Sequence, residues 1–166
     1  MTLTQAALDV GSILEDAGGV LQYALVFVFA AIPIVEILVV VPIAIGLGLD
    51  PLVTGLVAFA GNVVSVYALI AAHQRLTTWW RRRRSDADTD SRDRYARARR
   101  LWERYGLPGL SFGAPVLTGV HIATLAALLA GSSARLTAGW MTVGIGVWTV
   151  LLVVASVFGV SLLGVI

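Results

Sequence analysis

The stretch that decides the fold is VLQYALVFVFAAIPIVEILVVVPIAIGLGL, residues 20–49, in which Glu36 is the sole charged side chain. Thirty residues are too many for one simple membrane crossing and too few for two, because each crossing needs about 20. Pro33, near the middle, removes a backbone donor and disfavours a continuous helix. The stretch therefore predicts a bent pair of helices that enters the bilayer and turns back. The alternative is one long, kinked span.

Glu36 is the first candidate functional residue. An acid in a lipid-embedded segment usually faces a protein interior or a water-filled cavity, and it often marks a substrate or proton path. Pro33 and Pro42 bracket Glu36, and transporters place substrates and coupling ions at such broken helices. Because burial disfavours the ionised form of a carboxyl group, Glu36 is predicted to carry a proton. A structural role, in which it accepts hydrogen bonds from amides freed at the break, is the alternative.

The composition fits an integral membrane protein and narrows the chemistry. Hydrophobic residues make up 58% of the 166 residues, and the mean hydropathy is +0.86. There is no cysteine and there are two histidines, so no disulfide and no metal site is expected. The sequence also lacks a nucleotide motif, paired carboxylates and a nucleophile–base pair. We therefore expect one membrane domain, residues 1–166, that is not an enzyme and holds no cofactor.

The segments around the first apolar block have distinct roles in this interpretation. Residues 1–19 are weakly amphipathic and predict an interfacial helix, with a frayed terminus as the alternative. Asp50 and Pro51 read as the helix cap and first residue of a transmembrane helix over residues 51–74. Its small or polar positions predict a face packed on other helices: Thr54, Gly55, Gly61, Asn62 and Ser65.

The segment from residue 75 to residue 105 carries eleven of the twelve arginines. By the positive-inside rule this loop is expected to be cytoplasmic. From Ser91 to Tyr105 an amphipathic pattern predicts a helix that lies on anionic lipid headgroups. The alternative is a determinant of orientation that binds no ligand. Nucleic-acid binding is not expected, because the basic run adjoins a membrane helix and no binding fold is recognisable.

The second half of the chain follows the same order of breaks as the first. Pro33 is followed by glycines after 15 and 28 residues, and Pro115 by glycines after 16 and 29 residues. If each broken segment returns to its own side, each half crosses the membrane once and the second runs the opposite way. The sequence thus predicts an all-α integral membrane fold of two inverted pseudo-repeats, residues 20–74 and 106–166, with both termini outside. Each repeat is a Pro-broken re-entrant hairpin followed by a transmembrane helix.

A second set of candidate residues lies at the break in this half, which Pro115 and Gly119 form. His121 lies just beyond it, in the region matched to Glu36. A Glu–His pair across the repeats could relay a proton or hold an anion. The alternative is a hydrogen-bonded histidine that packs a turn. Neutral polar residues that would line the same cavity, or pack helices instead, are Thr118 and Asn62.

The order of motifs carries a family resemblance over about residues 20–164. AAIPIVEILVVVPIAIGLGLDP and AFAGNVV are followed by an arginine-rich amphipathic segment, RYGLPGLSFGAP, a Thr118-Gly119 pair and LAALLAG. In this order the chain resembles the putative small multidrug export protein family, which is similar to the DedA-like membrane proteins. The chain departs from the family pattern after Glu36, where apolar residues stand in place of the usual Arg-Gly. The resemblance implies two broken hairpins that face each other in a small membrane protein.

From these observations we expect secondary transport of a small amphiphilic or lipid-linked substrate, with proton coupling through Glu36. Alternating access would come from one repeat rocking against the other. A chain this short is expected to need a second copy, so we predict a homodimer in the cell membrane. One alternative is a polyprenyl-phosphate or phospholipid flippase or scramblase of the DedA-like type. A second is a membrane scaffold that transports nothing.

Overall fold

The computed structural model describes residues 3–33, 35–83 and 106–162, and these residues form seven helices and no strand. The all-helical prediction is therefore confirmed for the part that the structure describes. The predicted amphipathic helix from Ser91 to Tyr105 lies outside the described residues. The helices are α1 (Leu3–Asp16), α2 (Val20–Ala31), α3 (Glu36–Gly46), α4 (Pro51–Arg83), α5 (Leu107–Leu117), α6 (Val120–Leu129) and α7 (Ala134–Leu162).

Two of these helices are long and apolar enough to cross a membrane. They are α4, over its residues Pro51–Trp79, and α7. At 1.5 Å per residue, 29 residues span more than the roughly 30 Å of a bilayer core. Only 33% and 17% of their most apolar windows are buried in the protein, so most of that surface faces outward. Apolar helices that expose their side chains in this way suit contact with lipid.

The helix predicted over residues 51–74 is longer in the structure, because α4 continues to Arg83. Residues 75–83 contain neither glycine nor proline, and arginine has a high helix propensity. The hydroxyls of Thr77 and Thr78 both donate hydrogen bonds back to the main-chain carbonyl oxygen of Gln74, at 3.0 and 2.8 Å. The polar end of α4 is therefore a continuation of the apolar helix and not a separate element.

The described chain divides into two compact units, Met1–Ser65 with Ile145–Ile166, and Val66–Gly144. In the first unit α1 packs against α2 and α3. Val10 and Leu14 of α1 are buried, and the amide nitrogen Nε2 of Gln22 donates to the carbonyl oxygen of Leu14 at 3.0 Å. The amphipathic pattern of residues 1–19 thus has its apolar side on neighbouring helices. Its predicted place at the membrane interface stays a prediction.

The first apolar block is two helices joined by a short turn. α2 ends at Ala31, α3 begins at Glu36, and the two helices pack against each other. Pro33 lies in the turn, where its missing N–H costs no helical hydrogen bond. This arrangement matches the predicted bent pair and excludes a single continuous helix over residues 20–49.

The prediction that Pro42 also breaks the segment differs from the structure. Pro42 lies inside α3, which continues to Gly46. The proline removes one hydrogen bond, but buried apolar neighbours such as Val41 and Ala44 hold the helix on both sides.

In the second unit α5 and α6 form the corresponding pair and pack against each other. Pro115 lies inside α5, two residues before its end, and the chain reverses at Thr118 and Gly119. Of the two predicted break residues, Gly119 is therefore the one in the turn, with a φ of 82°. A positive φ is cheap for glycine because it has no Cβ.

The last helices of both pairs end in the same way. The N–H of Gly48 donates to Ile45 at 3.0 Å and that of Leu49 to Ala44 at 3.1 Å. The same bonds recur after α6, where the N–H of Gly131 donates to Leu128 at 3.0 Å and that of Ser132 to Ala127 at 3.0 Å. Both glycines have a φ of 87°. This is the Schellman termination, in which a glycine at positive φ ends the helix.

Candidate functional site

Glu36 lies at the turn between α2 and α3, and two observations distinguish it. Its side chain is 4% exposed, and its φ is 43°, in the region that favours glycine. Its N–H donates to the carbonyl oxygen of Ile32 at 3.1 Å. A side chain costs about 1–2 kcal/mol in this conformation. Buried and strained residues of this kind cluster at functional sites, where the surrounding structure holds them in place.

The turn of the second unit carries no such acid. Gly119 lies 83 residues after Glu36 and directly precedes α6, the second helix of its pair. Like Glu36, it has a positive φ. His121 is two residues further on, in α6, and is 6% exposed. The position matched to Glu36 is therefore Gly119, and His121 matches Leu38. Whether His121 acts together with Glu36 stays a prediction.

The caps fix this correspondence between the two halves. Asp50 accepts a hydrogen bond on Oδ1 from the N–H of Val53 at 2.8 Å, and Ser133 accepts one on Oγ from the N–H of Leu136 at 3.4 Å. The two capping residues are 83 residues apart. The predicted cap at Asp50 is thus confirmed, and of the two serines that precede α7 it is Ser133 that accepts the capping bond.

Close backbone contacts recur in each unit at a glycine of the long helix. A Cβ built at Gly61 of α4 would collide with the carbonyl oxygen of Phe27 in α2 and would lie 3.1 Å from its carbonyl carbon. A Cβ at Gly144 of α7 would collide with the carbonyl oxygen of Ser111 in α5, with its carbonyl carbon at 2.9 Å. Only glycine permits this approach, so each long helix is pressed against the first helix of its pair.

Asn62, next to Gly61, is a buried polar side chain of the first unit. It is 0% exposed, and neither its Oδ1 nor its Nδ2 has a hydrogen-bond partner among the described residues. Its main-chain carbonyl accepts a hydrogen bond from the hydroxyl of Ser65 at 2.8 Å. A buried polar group without a partner costs about 1–3 kcal/mol. The predicted burial of this face of α4 is confirmed for Thr54, Gly55 and Gly61 as well, whereas Ser65 is half-buried.

A model of a known protein family matches residues 36–151, from Glu36 to Leu151 within α7. Its description is "Putative small multi-drug export protein". The chain belongs to this family. No curated protein and no solved structure matches the chain. The family match and the two long apolar helices together indicate a helical membrane protein.

In this small multidrug export family member the match covers most of the candidate residues. It begins at Glu36 and includes Asn62, Thr118 and His121. Glu36 and Asn62 belong to the first unit, and Thr118 and His121 belong to the second. Thr118 is exposed at the end of α5.

Sequence reasoning placed Thr54 on the packed face of α4 but missed its match in α7, Thr137. Thr54 and Thr137, 83 residues apart, are both 0% exposed, and neither Oγ1 has a hydrogen-bond partner among the described residues. Each lies four residues after the residue that caps its helix, Asp50 or Ser133. Aligning the two caps in the sequence would therefore have revealed the pair. No group of three or more histidine, cysteine, aspartate or glutamate side chains that could hold a metal occurs in residues 3–33, 35–83 and 106–162.

Proposed function

We propose that this protein is a secondary exporter that moves a small amphiphilic or lipid-linked substrate across the membrane, with Glu36 binding substrate and proton in turn. The observation that carries the proposal is the burial of a carboxyl group at a strained turn. The family's description as an export protein agrees with it.

The strained backbone of Glu36 indicates a role for its side chain. Gly119 meets the same backbone requirement at the other turn without a side chain. A glutamate at that conformation therefore adds strain and a buried acid where glycine would add neither. The side chain of Glu36 therefore needs a role beyond shaping the turn. Within a membrane protein, binding a proton or a substrate group is the usual task of a buried acid.

The proposed architecture is a pair of inverted repeats, each made of a re-entrant helix pair and a spanning helix. The helix ends, caps and glycine contacts that recur about 83 residues apart support this arrangement. The chain would then be multi-pass in the cell membrane, with residues 75–105 on the cytoplasmic side near anionic lipid headgroups. Substrate access would alternate as one repeat rocks against the other. We propose a homodimer, because 166 residues offer few helices to enclose a path.

The experiment compares the unmodified protein with Glu36→Gln after reconstitution into phosphatidylcholine vesicles. The probes are ethidium, as an amphiphilic cation, and a fluorescent phosphatidylethanolamine, as a lipid. We expect probe flux that follows an imposed pH gradient in the unmodified protein and falls to the level of empty vesicles in Glu36→Gln. Glutamine keeps the shape of the side chain but cannot release a proton.

Each other outcome has a definite meaning. Equal flux of both proteins at every pH rejects Glu36 as the coupling residue. Lipid movement that needs no gradient indicates a flippase or scramblase of the DedA-like type. Movement of neither probe, together with a cellular phenotype that depends on residues 81–104 alone, indicates the scaffold.

A further inference from the structure

Polar groups that recur in both halves are explained by the architecture, and polar groups that do not recur need another explanation. The buried hydroxyls of Thr54 and Thr137 recur at a separation of 83 residues and are equally inaccessible. They are therefore part of the structure that α4 and α7 have in common. Asn62 does not recur, because the residue 83 positions later is Ile145, which is 1% exposed.

Ile145 is informative because it meets the packing requirement with an apolar side chain. The preceding residue in each helix is the glycine that touches a backbone carbonyl, Gly61 in one case and Gly144 in the other. The matched position therefore needs a side chain of moderate size and no polar atoms. An asparagine at that position adds a donor group and an acceptor group that the described residues do not satisfy.

We infer that Asn62 forms a hydrogen-bonding subsite for an uncharged polar group of the substrate, of the amide or hydroxyl class. The side-chain amide offers one acceptor oxygen and a donor NH₂, which match a partner that both donates and accepts. A charged group fits less well, because Asn62 carries no charge to offset its desolvation. This inference rests on the proposed function and names the chemistry of one part of its binding site.

The subsite has a defined position in the first unit. Gly61 holds α4 against the backbone of α2 at Phe27, and Asn62 follows directly. The main-chain carbonyl of Asn62 accepts the hydrogen bond from Ser65. The side-chain amide is the part of this residue that has no hydrogen-bond partner among the described residues. Glu36, which has a glycine and no acid at its matched position, belongs to the same unit as Asn62.

The test measures binding and does not depend on transport. Purified protein in phosphatidylcholine nanodiscs is titrated with dodecanamide and with N,N-dimethyldodecanamide, which keeps the acceptor and lacks the donors. The readout is the ligand-induced rise in the melting temperature. We expect the unmodified protein to bind dodecanamide about tenfold more tightly than its dimethyl analogue, the value of one or two net hydrogen bonds.

Asn62→Ile, which copies the matched residue of the second half, is expected to lose this preference. Thr54→Val is the matched control, since it removes an equally buried hydroxyl from the same helix and should keep the preference. Asn62→Ala replaces Asn62→Ile if the latter does not fold. The melting temperature without ligand separates a damaged fold from a lost binding group.

Unchanged preference in both Asn62 variants overturns the inference and leaves Asn62 to a buried water or to packing. No response to either amide in the unmodified protein overturns it as well. Both results are distinct from failure of the proposed function, which is read from the flux of Glu36→Gln. A protein whose flux depends on Glu36 but whose amide preference ignores Asn62 keeps the first proposal and loses the second.

Discussion

The turn between α2 and α3 and the turn between α5 and α6 solve one backbone problem with different residues. Both reverse the chain between two short packed helices, and both place a residue at positive φ where the second helix begins. The second turn uses Gly119, which adopts this conformation without strain. The first uses Glu36, whose backbone is strained at a φ of 43° and whose carboxyl group is buried. In the proposed function the first turn therefore serves chemistry, whereas the second serves only the geometry of the chain reversal.

The sharpest test of this contrast is Glu36→Gly, which makes the first turn like the second. We expect probe flux in vesicles to fall at least tenfold, because the carboxyl group is gone. The melting temperature should stay level or rise by a few degrees, because about 1 kcal/mol of backbone strain is relieved. A protein that unfolds well below the unmodified melting temperature would show that Glu36 holds the turn together, and it would remove the contrast.

The glycine contacts of the long helices are expected to give the next largest effect, and here the two halves should agree. Gly61→Ala and Gly144→Ala each force a methyl group into a backbone carbonyl, of Phe27 or Ser111. We expect each to destabilise the protein by about 1–3 kcal/mol, measured by thermal unfolding in detergent.

The control for these two variants is Gly139→Ala, a helical position of α7 with open space around the added methyl group. It should be neutral or slightly stabilising, because alanine favours the helix. If all three variants melt alike, the glycines at positions 61 and 144 are not close contacts.

Gly119→Ala tests the second turn by itself. Alanine at a φ of 82° is strained, so we expect a loss of about 1–2 kcal/mol in the free energy of unfolding. Flux per folded molecule should be unchanged, in contrast to Glu36→Gly. A variant that folds normally but transports nothing would assign chemistry to this turn as well.

The helix caps should give the smallest effects. Asp50→Ala removes an acceptor 2.8 Å from its donor, and Ser133→Ala removes one at 3.4 Å. We expect losses of about 1 kcal/mol for Asp50→Ala and less for Ser133→Ala, seen as small decreases in melting temperature. Equal or reversed losses would contradict the difference in cap geometry.

Local signals in the sequence account for much of the fold. Asp50 predicted where α4 begins, because a helix cap acts within a few residues. Gly48 and Gly131 are local signals of the same kind for where α3 and α6 end. The proline spacings of the two halves differ by one residue. The caps, and not the prolines, give the constant separation of 83 residues. Pro42 was misleading, since surrounding packing overrides a single lost hydrogen bond.

The candidate site was less accessible to prediction. Glu36 was found because a charged residue in an apolar run is visible in the sequence. Its positive φ was not, because nothing in the sequence marks a glutamate for that conformation. The state of Asn62 was equally hidden, since a missing partner is a property of tertiary packing and not of any neighbouring residue.

Gly48 and Gly131 carry a practical warning for anyone who surveys this protein by saturation mutagenesis. A methyl group added at either residue would meet no atom within 4 Å, so both look tolerant on a map of free space. Their φ of 87° nevertheless excludes most other amino acids. Both positions will score as intolerant as a substrate-binding residue. Such a score there reports a chain reversal and should not be used to trace a permeation route.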